Sequence, residues 1–142
     1  MTIQPEWRDY DVVVVGSGGA GSAAAHAAAE SGARVLVVSK DPIGCSDTKI
    51  SEGVITVLGS GEEDDSEQEL SDNLRMGGGS LPVEAITDTF ASDSQSAYDW
   101  ARSHGLRPSI NQESGKPKSF GMALGGHTKR RAVGHKNSGV AF

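Results

Sequence analysis

The residues whose types and spacing could do chemistry begin with Gly16-x-Gly18-x-x-Gly21, set directly after the run Val12-Val13-Val14-Val15. Each glycine has a physical task. Gly16 allows a tight turn out of a strand, Gly18 lets backbone approach a pyrophosphate, and Gly21 lets a following helix lie close to that strand. The start of such a helix offers N–H groups without intrahelical acceptors, and a partial positive charge, to phosphate oxygens. Gly16, Ser17, Gly18, Gly19, Ala20 and Gly21 are therefore candidate contacts to the diphosphate of a dinucleotide.

A second indicator lies at the end of the next apolar run, Arg34-Val35-Leu36-Val37-Val38. A typical NAD site places Asp or Glu there to hold ribose hydroxyls. This chain has Ser39-Lys40 instead, with Asp41 one place later. The departure counts against a generic NAD reading. It leaves Ser39 to bind a ribose through its hydroxyl, and Lys40 to lie along an adenine edge or near phosphate, or simply in solvent.

Residues 39–53 are small, polar and irregular. Within them, Ser46, Asp47, Thr48, Ser51, Glu52 and Gly53 can line a pyrophosphate and a ring system with short hydrogen bonds; an ordinary polar loop is the plain alternative. Cys45 has no partner thiol in the sequence and reads as a bystander. His26, His104, His127 and His135 lack metal-ligand spacing. No residue is nominated as catalytic. The stretch after Glu113 carries Lys116, Lys118, Lys129, Arg130, Arg131 and Lys136 and no acid. Within it, His127 and His135 lie with Arg130 and Arg131, a cluster that suits an anionic ligand such as a dicarboxylate or the cofactor phosphates, or is surface charge. On these residues alone an NAD(P)-binding dehydrogenase domain, a flavin-binding domain and a non-catalytic nucleotide-binding module stay open.

The elements that must position these groups follow from pattern. Residues 10–15 read as a parallel strand buried on both faces, because the valines do not alternate with polar residues. Residues 20–31, rich in alanine, form a helix with Gly32 as its left-handed cap. Residues 34–38 are the second strand, and 54–58 a short strand or buried connection. Ser66 and Glu69 fit a capping box, so a helix spans 66–76 and ends at Gly77-Gly78-Gly79. Ser80-Leu81-Pro82 opens another helix, with Pro82 in its first turn. Ile86, Phe90, Ala97, Trp100 and Ala101 mark its inner face, and Gly105 closes it after His104. Residues 109–126 are loop with a short hairpin, and 126–131 start a further strand. The seven acids between Glu62 and Asp72 read as a solvated loop and helix start.

Composition sets outer limits. The chain has 142 residues, which is one domain or part of one. Its net charge of −6 argues against a nucleic-acid-binding domain. One cysteine excludes an internal disulfide. The polar N-terminus shows no secretory signal, and no apolar run approaches a membrane span. These features make a cytoplasmic location the expectation, or a peripheral one on the inner membrane face through partner subunits, with no direct membrane span.

The residues also carry a resemblance. Val12 to Gly21, then Val37-Val38-Ser39-Lys40, then Ser46-Asp47-Thr48 and Glu52-Gly53-Val54-Ile55 resemble the flavoprotein subunit family of succinate dehydrogenase and fumarate reductase, which includes L-aspartate oxidase and adenylylsulfate reductase. Trp100 to Leu106 is similar to a helix end of that family, and Gly125-Gly126-His127-Thr128-Lys129-Arg130-Arg131 resembles a Gly-Gly-His-Ser-x-x-Arg stretch of aspartate oxidases. The resemblance implies an α/β, Rossmann-like FAD-binding domain with a parallel sheet. It places Gly16–Gly21 on the pyrophosphate and Ser39 and Lys40 at the adenosine end. Ser46, Thr48, Ser51, Glu52 and Gly53 would wrap the flavin and pyrophosphate. Asp47 stands where succinate dehydrogenases carry a flavin-linked His, so the implied FAD is non-covalent. Glu52 replaces the family's Gln, and Val54 its second Gly. The implied function is hydride transfer between flavin and a small, dicarboxylate-like substrate, with an iron–sulfur subunit as a possible electron partner. It further implies that residues 1–142 are the N-terminal part of a longer FAD-binding domain, binding FAD poorly and catalysing little alone, with the capping domain beyond Phe142.

Overall fold

The computed structural model describes residues 8–51, 53–61, 64–79, 81–119, 123 and 125–135. The chain forms two compact units, Met1–Ile50 and Ser51–Phe142.

The first unit is strand, helix, strand, short helix. Strand β1 (Val12–Val15) and strand β2 (Val35–Val38) pair in parallel, Val12 opposite Val35 through Val15 opposite Val38. Helix α1 (Gly19–Glu30) connects them. The Asp11 N–H donates to the Arg34 carbonyl at 2.9 Å, and the Asp11 carboxylate accepts from the Arg34 N–H at 2.8 Å. At the other end the Gly16 N–H donates to the Val38 carbonyl at 2.7 Å. The pair is thus pinned on both sides of the valine run.

Two glycines set the junction with α1. Gly16 has φ +105°, a left-handed conformation that a side chain would strain. A Cβ on Gly21 would lie 2.2 Å from the Gly16 carbonyl oxygen and 3.5 Å from Val14. Only a residue without Cβ lets the helix start this close to the strand end. α1 closes as expected, with Gly32 at φ +86°. The Gly32 N–H donates to the Ala29 carbonyl and the Ala33 N–H to the Ala28 carbonyl, the paired bonds of a Schellman cap.

One expectation for β1 fails. The strand is not buried on both faces: Val13 and Val15 are 56% and 84% exposed. Within this unit α1 covers one face only, where Val14 meets it. Residues 39–53 are also less irregular than expected, because Asp47–Ile50 forms a short helix, α2.

The second unit pairs strand β3 (Val54–Thr56) with strand β4 (Ala132–Gly134) in antiparallel register, Ile55 opposite Val133. The strand expected at 126–131 therefore begins later, because 125–131 are spent on a turn and on side-chain anchoring. Helix α3 (Glu67–Gly77) starts as its capping residue dictates: Ser66 Oγ accepts from the Glu69 N–H at 3.2 Å. The reciprocal half of the box is not made. Asp65 takes the Ser66 N–H, and Glu69 turns to Thr128.

Helix α4 (Glu84–Ser103) has Val83 as its N-cap, so Pro82 precedes the first turn instead of lying in it. Gly105, at φ +109°, ends it as expected, and the Leu106 N–H donates back to Ala101 at 3.0 Å. Its inner face differs from the apolar pattern. Thr87, Ala91, Ser94 and Tyr98 are buried, whereas Ile86 and Phe90 are 68% and 44% exposed, and Ala97 and Trp100 also face outward. Ala101 does pack against the core of Val57, Tyr98, Leu106 and Val133. Hydrogen bonds decide which face turns in. Ser71 Oγ lies 2.6 Å from the Asp88 carboxylate and 3.0 Å from Thr87 Oγ1, Arg75 bridges to Asp88 at 2.6 Å, and Ser94 Oγ accepts from the Leu58 N–H.

The acidic run is not wholly solvated. Asp64, Glu67 and Asp72 are exposed, but the Asp65 side chain is 4% exposed and that of Arg131 fully buried. Arg131 clamps Asp65 with two parallel bonds of 2.8 and 2.6 Å and gives a third to Asn73 at 2.7 Å. The Gly59 and Ser66 N–H groups complete the Asp65 shell. Burial alone would raise the Asp65 carboxyl; the Arg131 and backbone hydrogen bonds overcome it and hold it below its ordinary range. Thr128 donates to Glu69 and to Asn73, and Lys129 pairs with Glu69 at 3.3 Å. This network ties 59–66, α3 and 127–131 together. It also corrects the reading of Arg131 as part of an anion site: its donors are already used inside the fold.

Three outcomes follow. Gly21→Ala forces a shift at the turn and should lower stability by about 1–3 kcal/mol, read by urea unfolding. Arg131→Ala should cost about 3–5 kcal/mol by leaving Asp65 buried and unpaired, while Asp65→Leu combined with Arg131→Met should recover most of it. The third concerns pH. Burial first, and the Arg131 charge second, hold His127 below the ordinary imidazole value of 6.5, with Asp65 opposing. The folded chain therefore binds this proton less readily than the unfolded chain. Its contribution is present above the unfolded value of 6.5 and is lost as pH falls below it and through the lower folded value. The thermal midpoint should fall on acidification across this range, and less so in His127→Gln.

Candidate dinucleotide-phosphate site

Eleven of the fourteen expected site residues lie in the first unit: Gly16 to Gly21, Ser39, Lys40, Ser46, Asp47 and Thr48. The floor of the site is the start of α1. Gly18 is the N-cap and supplies no side-chain hydrogen bond. Ser, Thr, Asp or Asn normally takes that role. Here the cap comes from elsewhere in the chain: the Gly19 N–H donates to Thr48 Oγ1 at 3.0 Å, across 29 positions.

Two further contacts lay residues 44–48 along the turn. The Gly44 N–H donates to Ser17 Oγ at 3.2 Å. A Cβ on Gly18 would meet Ser46 Cβ and Thr48 Oγ1 at 3.5 Å, and one on Gly19 would meet Thr48 Oγ1 at 3.4 Å. The loop therefore leaves room for about one carbon over Gly18 and Gly19 at ordinary contact distance, and side chains larger than Ala would lift it.

Ser17 is buried, and its hydroxyl lies 3.1 Å from Ser39 Oγ. It serves as a brace between the turn, the end of β2 and the loop. Ser39 is half-buried and Lys40 exposed. Asp47 is the first residue of α2 and is exposed. Ser51 and Gly53 belong to the second unit, where the Gly53 N–H donates to Ser51 Oγ and the Gly53 carbonyl lies 2.9 Å from His135 Nδ1. Because a carbonyl only accepts, that nitrogen carries the proton. Glu52 lies outside the described residues. His127 lies 3.0 Å from Arg131 within the ion-pair network.

These residues fit a diphosphate. The first turn of an α-helix leaves the N–H groups of Ala20 and Gly21 without intrahelical acceptors. No side chain on Gly18, Gly19 or Gly21 stands between that backbone and a ligand. Hydroxyls of Ser46 and Thr48 border it, and Lys40 is a cation in the same unit. What pattern reading missed is the cross-chain cap and the Ser17 brace. The signal for the first was present: a helix beginning on Gly18 with no capping side chain needs one from a distant residue.

Comparison with known proteins adds the family. The profile of the FAD binding domain matches residues 11–140. The chain is 32% identical over 100 residues to fumarate reductase (cytochrome) of Shewanella frigidimarina, which covers 67% of this chain and 18% of that protein. It is 33% identical over 132 residues to L-aspartate oxidase of Mycobacterium bovis, covering 91% of this chain and 24% of the relative. Among solved structures, the Sdh1 complex of Mycobacterium smegmatis in the apo form superposes with a TM-score of 0.84 at 28% identity, over 93% of this chain and 22% of that one. The chain thus spans about a fifth of the length of these relatives. With the strand–glycine turn–helix in place and the profile covering nearly the whole sequence, this chain belongs to the FAD-binding domain family shared by fumarate reductases, succinate dehydrogenases and L-aspartate oxidases.

Proposed function

We propose that this chain supplies the adenosine- and pyrophosphate-binding part of an FAD-dependent oxidoreductase of the fumarate reductase and succinate dehydrogenase type. The observation that carries the reading is the capped, glycine-lined start of α1, with the hydroxyl-bearing loop 44–48 laid on it. The family match favours FAD over NAD(P), as does Ser39-Lys40 in place of an acid at the end of β2.

In this reading Ala20 and Gly21 donate backbone N–H groups to the diphosphate, with the α1 dipole adding to the attraction. Ser46 and Thr48 close over it. Ser39, held by Ser17, faces the ribose, and Lys40 balances phosphate charge. Ser51, Glu52 and Gly53 follow toward the flavin. FAD, when bound, supplies hydride transfer with a small dicarboxylate-like substrate; the residues of this chain bind and orient it. Asp47 cannot form a histidyl bond to flavin, so the cofactor is held without a covalent link. The substrate-contacting groups lie in parts of the relatives that this chain does not match. An iron–sulfur electron-transfer subunit is the proposed partner, and the cytoplasm the proposed location. No helix among the described residues is long and apolar enough to cross a membrane.

Titration of the chain with FAD, followed by flavin fluorescence, should give saturable binding that ADP competes and nicotinamide mononucleotide does not. Competition by nicotinamide mononucleotide, or no saturation, contradicts the reading. Acid precipitation of the FAD-loaded chain should leave all flavin in the supernatant. Flavin retained in the pellet would overturn the non-covalent assignment.

A further inference from the structure

The second unit holds a cavity that the diphosphate reading does not use. Its volume is about 300 Å³, and its walls come from the C-terminal half of α4, residues 57–60, Lys116 and Pro117. That size lies at the lower end of small-molecule cavities, about 300–1,000 Å³.

Two groups in the lining are unsatisfied. Tyr98 is 4% exposed, and its hydroxyl has no hydrogen-bond partner. Ser60 Oγ is enclosed and likewise has none. An enclosed hydroxyl without a partner has lost its hydration and gained nothing in return. Two of them in the lining of one cavity therefore call for an acceptor. Burial holds the Tyr98 phenol above its ordinary value, against the Arg102 charge, so it is a neutral donor.

Charge and apolar surface narrow the acceptor further. Lys116 and Arg102 line the cavity against one acid, Asp99, and the Asp99–Arg102 pair is loose at 3.7 Å. Two cations against one acid leave a surplus of one positive charge, which suits a monoanion. Val57, Leu58 and Pro117 add apolar wall, and Val57 and Tyr98 belong to the core cluster. Such a wall cannot satisfy the several oxygens of a phosphate. It suits a ligand with one polar end.

We propose that this cavity binds a small carboxylate with a flat apolar body: Tyr98 and Ser60 donate their hydroxyls to the carboxylate, Lys116 balances its charge, and the body rests on Val57, Leu58 and Pro117. The site lies wholly in the second unit and stands whether or not the first unit binds a diphosphate.

Equilibrium dialysis of the 142-residue chain against benzoate tests it. Binding should saturate at one benzoate per chain. Acetate keeps the charge without the body, benzyl alcohol the body without the charge, and both should compete poorly, as should inorganic phosphate. Tyr98→Phe should weaken benzoate about tenfold, and Ser60→Ala similarly, given the strength of hydrogen bonds to charged groups. Lys116→Gln should weaken it about threefold. Lys118 is exposed and outside this lining, so Lys118→Gln should change nothing. Without benzoate, the urea midpoint of Tyr98→Phe should hold or rise, because the deleted hydroxyl has no partner. Absence of saturable binding overturns the site. So does competition by acetate or phosphate equal to that of benzoate, or a Lys118→Gln loss equal to that of Lys116→Gln, either of which marks surface charge alone. Unchanged affinity in both Tyr98→Phe and Ser60→Ala overturns the assigned donors. A Tyr98→Phe midpoint that falls marks a buried water as the partner of the hydroxyl and overturns the assignment as well.

Discussion

The first unit depends on one close approach. The position a Cβ would take on Gly21 lies 2.2 Å from the Gly16 carbonyl oxygen, so helix α1 begins almost against the end of β1. That proximity fixes where the first N–H groups of the helix stand relative to the parallel strand pair. It also lets residues 44–48 lie over the same surface, where a Cβ on Gly18 or Gly19 would stand 3.4–3.5 Å from Ser46 and Thr48. A side chain at position 21 would push the helix away, and the geometry of every donor after it would change.

Hydroxyls then take over the work that an acid or a local cap does elsewhere. α1 has no capping side chain of its own, and Thr48 caps it from 29 positions downstream. Ser17 joins Ser39 and Gly44 in place of a carboxylate at the end of β2. A neutral set suits a ligand that already carries two negative phosphates, since a fixed carboxylate nearby would repel them. The second unit is built differently. There a buried Asp65–Arg131 clamp, with Asn73 and Thr128 around it, joins segments far apart in sequence, α3 and α4 are joined by hydrogen bonds of Ser71 and Arg75 to Thr87 and Asp88, and Ser94 holds the Leu58 N–H.

How much of this was legible in sequence follows from the same contrast. The glycine turn, β1, α1, β2, the caps at Gly32 and Gly105 and the start of α3 at Ser66 all announce themselves through local chemistry, and their bounds hold to within about two residues. The inner face of α4 did not. Pattern reading weights large apolar residues and chose Ile86 and Phe90, whereas Thr87 and Ser94 are the ones turned inward by their hydrogen bonds. Arg131 looked like a free cation in a basic stretch, because its partner lies 66 positions away in what read as a solvated acidic run. The burial of β1 on both faces was inferred from its valines, but only one face is covered within this unit.

The central claim is that the start of α1 and the loop laid on it form one diphosphate site. Backbone amide chemical shifts of the isotope-labelled chain, recorded as ADP is added, test it most directly. The account predicts stoichiometric shifts at Gly19, Ala20 and Gly21 together with Gly44, Ser46 and Thr48, saturating along one curve. Shifts confined to the second unit, or a turn that responds while Thr48 does not, would contradict it.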